Sequence, residues 1–155
     1  MAKSSQYTHY MQRVDIENQP TYDIEEQFSG LLYMKADGMN DIGKSKNVYT
    51  ETYADSDRLR VYLPNNGNYT NEATKITMHF LVVGEEAQRQ ATLRNFYNYI
   101  REGVHRYWDD ARNLEFDFVV QDEIKVSDER WHGSSPYVEI QIQMQNLNGK
   151  TTEHQ

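Results

Sequence analysis

Apolar and polar positions alternate without a break from Tyr137 to Leu147: Val138, Ile140, Ile142 and Met144 are separated by Glu139, Gln141, Gln143 and Gln145. Side chains of a strand point to opposite faces with period two, so this pattern predicts a strand with one buried face. The other face, Glu139, Gln141, Gln143 and Gln145, is mostly amide. Gln offers donors and an acceptor without a charge, so such a face either meets water or hydrogen-bonds to a neighbour without burying an ion. Lys75 to Val83 has the same character, with Ile76, Met78, Phe80 and Val82 in one phase. Its other phase, Thr77, His79, Leu81 and Val83, becomes apolar towards the end, which predicts cover on both sides there.

The period changes after Gly84. From Glu85 to Glu102 the apolar residues Leu93, Phe96, Tyr97 and Ile100 fall at i, i+3, i+4 and i+7, the stripe of an amphipathic helix. Glu85 and Glu86 suit its positive end, Arg101 its negative end, and Gly103 the stop. This helix is the expected cover for the end of Lys75 to Val83. Shorter strands are predicted at Gly30 to Lys35, Val48 to Tyr53, Arg58 to Leu63 ending at Pro64, Leu114 to Val120 and Ile124 to Ser127. Asn65 to Asn68 carries turn chemistry, as does the Gly-Ser-Ser-Pro run within Trp131 to Pro136. Strands, one helix, then strands predict an α+β fold, mostly β: an antiparallel β-sandwich or sheet with one main helix at about 85–102. Repeated helical crossovers, which a doubly wound parallel sheet needs, are missing.

Composition bounds the picture. A chain of 155 residues suits one domain, read here as residues 28–148. The first 27 residues hold scattered apolar positions among Asp15, Glu17, Asp23, Glu25 and Glu26, and are expected to form a polar acidic arm. Residues 149–155 are expected to be a polar tail. Hydrophobic content is 37% and mean hydropathy −0.91, so the core should be lean. The 12 Tyr and 2 Trp offset part of that deficit and also suit interfaces. A net charge of −8 without basic runs argues against a nucleic-acid grip, although an acidic wall lets a polyanion pass. No disulfide or thiolate metal site is available to a chain with no Cys. The apolar runs are too short for a signal peptide or a membrane span.

Gly38-Met39-Asn40-Asp41-Ile42-Gly43-Lys44-Ser45 satisfies the phosphate-loop pattern G-x-x-x-x-G-K-[ST]. A working phosphate loop opens a helix whose first amides hold the anion, whereas the residues after Ser45 are β-prone and lack a helical stripe. A glycine-bearing surface loop is the simpler reading, and a small nucleotide-binding protein is the alternative. The 5 histidines show no metal-ligand spacing. Asp109, Asp110, Glu115 and Asp117 are close in sequence, but Glu115 and Asp117 fall in the polar phase of a strand. With no nucleophile elbow and no thiol, no enzyme is expected, and neither a cofactor nor a metal is called for. A monomeric ligand-binding α+β module is a further alternative.

Two segments, Ile76-Thr77-Met78-His79-Phe80-Leu81-Val82-Val83-Gly84 and Val138-Glu139-Ile140-Gln141-Ile142-Gln143-Met144, together with the helix, the glycine and aromatic segment Gly103 to Trp108, and the strand Leu114 to Val120 between them, resemble bacteriophage tail structural proteins. The likeness is to the domain of distal tail and tail tube proteins, over about residues 28 to 147. It implies a β-sandwich flanked by one helix, with six copies closing into a ring around a DNA channel. On this resemblance the partners are further copies of the chain and other tail proteins, and the location is the virion tail, assembled in the host cytoplasm. DNA would pass without specific binding, and no membrane is involved. Glu139, Gln141, Gln143 and Gln145 then become candidates for the ring interface or the channel face.

Overall fold

The computed structural model describes residues 7–44, 49–52, 59–62 and 71–154. In chain order the elements are β1 (His9–Arg13), β2 (Thr21–Asp23), α1 (Ile24–Gln27), β3 (Leu31–Asp37), β4 (Tyr49–Thr52), β5 (Leu59–Tyr62), β6 (Thr74–Val83), α2 (Glu86–Ile100), β7 (His105–Asp109), β8 (Leu114–Val119), β9 (Lys125–Val126), β10 (Arg130–His132), β11 (Ser135–Asn146) and β12 (Thr152–Glu153). The main sheet runs β2-β1-β7-β8-β11-β6-β3, with β9 and β10 added to β11 and β12 to β8, while β4 and β5 form a separate hairpin. Every one of these pairings is antiparallel. The fold is thus α+β and mostly β, as the alternating segments predict. The turn expected at Asn65 to Asn68 and the strand end at Pro64 lie outside the described residues.

β6 and β11 form the spine, paired residue by residue from Tyr137 opposite Val83 to Asn146 opposite Thr74. That register puts Ile76, Met78, Phe80 and Val82 beside Met144, Ile142, Ile140 and Val138, all buried on one face. A face this apolar has to be covered, and the sheet covers it by doubling over. Tyr33 on the terminal strand β3 stacks on His9 of β1 with ring centroids 3.9 Å apart. Strands near opposite ends of the sheet order therefore meet, and β3-β6-β11 packs against β1-β7-β8, whose Tyr107, Phe116 and Phe118 complete the core.

Helix α2 closes the remaining side. Phe96 meets Phe80 edge-on at 5.3 Å and Phe28 at 5.1 Å, and Tyr99 meets His105 of β7 at 4.5 Å, so the helix touches both halves of the folded sheet. It packs on the inner face through Phe96. The expected second cover over Leu81 and Val83 is therefore not the helix, and both residues stay half-buried on the outer face. The helix stops before Gly103, whose φ of 73° is the left-handed conformation that glycine adopts without strain. A side chain there would strike the Asp15 carboxylate, which accepts the Val104 N–H at 3.1 Å.

Two expectations change, at the two ends of the chain. The acidic arm at 1–27 is, from His9 onward, part of the sheet: β1 lies between β2 and β7, and Met11 and Ile24 are fully buried. Those two apolar residues fall at inward positions, which mean composition does not register, while Ile16 stays exposed. The glycine and aromatic segment Gly103 to Trp108 contains most of β7. The turn expected within Trp131 to Pro136 is present, as a tight hairpin between β10 and β11. The polar tail at 149–155 is docked through residue 154, with β12 paired to β8 and His154 stacked on Trp108 at 4.5 Å.

Candidate functional site

The amide positions of β11 lie on the outer face of the β3-β6-β11 layer, where the registers set up rows across three strands. Glu139 is level with Leu81 and Leu32, Gln141 with His79 and Lys35, and Gln143 with Thr77 and Asp37. Gln145 is level with Lys75. Gln141 and Gln143 are exposed, whereas Glu139 and Gln145 are half-buried. The four candidate residues thus share one face but not one environment.

Glu139 is held on every side. Its Oε1 lies 3.2 Å from His79 Nδ1, and Arg130 Nη1 donates to its Oε2 at 3.1 Å. The other ring nitrogen of His79 lies 3.1 Å from Asp37 Oδ2, and Asp37 is 3.8 Å from Lys35 Nζ. Lys35, Asp37, His79, Glu139 and Arg130 therefore form an alternating chain of charged and ionisable groups from β3 to β10. Neutral imidazole has one N–H, so only a doubly protonated ring donates to both carboxylates. The main chain of Glu139 is fixed too: its N–H donates to Ser127 Oγ at 2.9 Å, and Ser127 N–H donates to its carbonyl at 2.9 Å. Strand β9 and the segment before it wall a shallow depression lined by Thr77, Asp122, Glu123, Lys125, Gln141 and Gln143. Sequence reading missed His79, Asp37 and Arg130, because the pairs are 42 and 60 residues apart for His79. An isolated histidine on the polar phase of a strand was the one available signal.

A second polar cluster lies inside the fold. The Tyr107 hydroxyl donates to Asp109 Oδ2 at 3.0 Å and sits 2.8 Å from His9 Nδ1, which therefore carries the proton that it donates to the phenol oxygen. Arg112 donates to Asp109 through its backbone N–H at 2.7 Å and its guanidinium, which also reaches the Tyr33 hydroxyl at 3.2 Å. Burial opposes the charge on Asp109, but the hydrogen bonds from Arg112 outweigh it and its pKa lies below the ordinary value. Burial pushes Tyr107 well up. This cluster ties β1, β7 and β3 together and leaves Asp109 no free oxygen aimed at solvent chemistry. Glu115 and Asp117 are engaged elsewhere, by His154 at 2.9 Å and by Arg106 at 2.7 Å. Among the described residues no three His, Asp or Glu side chains are grouped to hold a metal ion.

The phosphate-loop pattern does not fold as one over its described part. Gly43 N–H donates to the Gly149 carbonyl at 2.7 Å, and the Lys44 carbonyl accepts from Glu72 N–H at 2.7 Å. A side chain at Gly43 would collide with the Glu72 carbonyl, so glycine is needed there for close packing. Ser45 lies outside the described residues, and the next described element is a strand, β4. An amide already paired with a carbonyl does not hold a phosphate.

Fold and face together define a mostly-β domain, a doubled antiparallel sheet flanked by one main helix, with a polar outer face. No protein-family model matches the chain, and no curated protein matches it. Among solved structures, a chain of the phage p2 baseplate in its activated conformation with Sr is similar to it, with a TM-score of 0.53 and 12% identity over 89% of this chain and 44% of that one. A chain of the same baseplate with Ca gives a TM-score of 0.48 and 11% identity over the same shares. The likeness is one of fold, and this chain spans under half the length of those it matches.

Proposed function

We propose that this protein is a structural component of a phage tail, placed in the tube, the distal tail or the baseplate, where copies of it close into a ring with other tail proteins. The observation that carries the reading is the shared fold, over 89% of this chain, with a chain of a phage baseplate. Two surface features support it. Gln141 and Gln143 present uncharged donors and acceptors on the outer face, and Trp131, 61% exposed on the β10–β11 hairpin, is a residue type that anchors protein interfaces. The mechanism is geometric and needs neither catalysis nor a cofactor. Copies pack side by side in a ring, most simply a hexamer, and a chain of net charge −8 lets DNA pass through the centre without specific binding. Assembly takes place in the host cytoplasm and the product resides in the virion tail. Sedimentation over a wide concentration range, with and without the adjoining tail proteins, tests this, with electron microscopy of the heaviest species. Closed rings are expected in at least one condition. A monomer in all of them overturns the reading.

A further inference from the structure

The seam between β1 and β7 is built unlike the rest of the core. Its inward pairs are His9 with Asp109, Met11 with Tyr107, and Arg13 with His105, so Met11 is the one side chain of the set without a polar group. The β6–β11 seam, by contrast, is apolar on its inner face from Val82 opposite Val138 to Ile76 opposite Met144, and turns polar only at its last pair, Thr74 with Asn146. His105 is fully buried, and neither of its ring nitrogens has a hydrogen-bond partner among the described residues. It lies between Tyr99 of α2 at 4.5 Å and Phe118 of β8 at 5.8 Å, with Arg13 opposite it on β1. Asp15, the next charged group, is bound to Arg13 at 2.9 Å. At the other end of β1, His9 is stacked on Tyr33 and linked to Tyr107, with Asp109, Arg112, Glu25 and Asp23 around it.

We infer that the β1–β7 seam is an acid-sensitive latch: protonation of His105, reinforced by His9, releases the segment from β1 to α1 from the sheet while the β6–β11 spine stays closed. The direction follows from what each ring faces. Burial, and then the Arg13 guanidinium, hold His105 down to about 4, against an ordinary 6.5, with Asp15 and the Tyr99 main chain opposing. Burial also lowers His9, against the pull of Glu25 and Asp109. Release of β1 frees His9 and takes the Arg13 guanidinium and the β1 cover away from His105 on β7, so between 6.5 and about 4 the open form binds protons that the closed form excludes. Falling pH therefore favours opening across that window, and rising pH closes the latch. The latch stands independently of the assembly reading.

Amide hydrogen exchange on the whole chain tests it, with rates corrected for their intrinsic pH dependence and compared at pH 7.5 and pH 5. Opening of residues 9–27 should rise several-fold, with roughly thirtyfold the ceiling set by full release of the His105 ring, while β6 and β11 amides keep their protection. His105→Phe, which fills the same space without a titrating group, should remove most of that rise. Equal acceleration across the whole sheet, no acceleration of β1, or an unchanged rise in His105→Phe would each overturn the latch. Should that variant fail to fold, the ring resonances of wild-type His105 and His9 decide. Midpoints that coincide with the opening of β1 support the latch, and midpoints that do not coincide overturn it.

Discussion

Glu139 and Gln143 are two positions apart on the same face of one strand, yet the structure gives them different work. The Glu139 side chain is 17% exposed and accepts from both Arg130 and His79, so Glu139→Gln turns an amide NH2 towards one of two donors. The expected loss is about 1–2 kcal/mol, kept low because Arg130 is itself 54% exposed and its share is screened. Gln143 has no such ties, and Gln143→Lys should change the stability of the isolated chain by less than about 0.5 kcal/mol. Denaturant titration of both variants checks the contrast. The same Gln143→Lys protein then reports on assembly. A lysine buried between copies blocks ring formation, whereas one facing a channel leaves rings that retain DNA less well as salt rises. Wild-type assembly with no DNA retention would take this face out of the assembly reading.

At the scale of elements, the exit of α2 is specified by one glycine and one acid. Gly103→Ala forces a Cβ into the left-handed region and into the Asp15 carboxylate, which already holds Val104 N–H and Arg13. The expected destabilisation is about 1–2 kcal/mol. Gly133 at the β10–β11 turn is the internal control, because its φ of 62° has the same sign but an added Cβ there meets nothing within 4 Å. Gly133→Ala should therefore cost only the conformational part, about 1 kcal/mol. Thermal melts of the pair separate the collision from the strain, and equal losses would remove Asp15 from the account. Asp15 itself is held at about 2 by Arg13, so it stays charged across the pH range of the latch.

The whole molecule depends on a sheet that doubles over, and this bears on the nucleotide alternative. Gly43 is pinned to Gly149 and Lys44 to Glu72, which places the phosphate-loop pattern in the joint between the β3 exit, the β6 entry and the C-terminal segment. Calorimetry with Mg-ATP should give no binding heat, and Lys44→Ala should keep the wild-type melting profile. A Lys44-dependent isotherm would reverse this ranking. The joint also shows why the predicted polar tail is not a tail. Its glycine supplies the carbonyl, Thr151 Oγ1 donates to the Met39 carbonyl at 3.2 Å, and β12 completes the edge of β8.

The sequence by itself determined the strands and the helix whose buried face is apolar. β6, β8, β11 and α2 are legible because their periods of two and 3.6 are local, and each repeats often enough to stand out. The Gln positions of β11 are legible as one face for the same reason. Only the tertiary structure decided that β1 and β7 are core strands, since apart from Met11 their buried residues are His9, His105, Tyr107 and Asp109, types that read as surface in a sequence. Most of them are held inside by partners brought from far along the chain, as His9 and Tyr107 are from 98 residues apart. The Lys35-to-Arg130 chain on the outer face was hidden in the same way. Periodicity tells which way a side chain points, and the fold alone tells what it meets there.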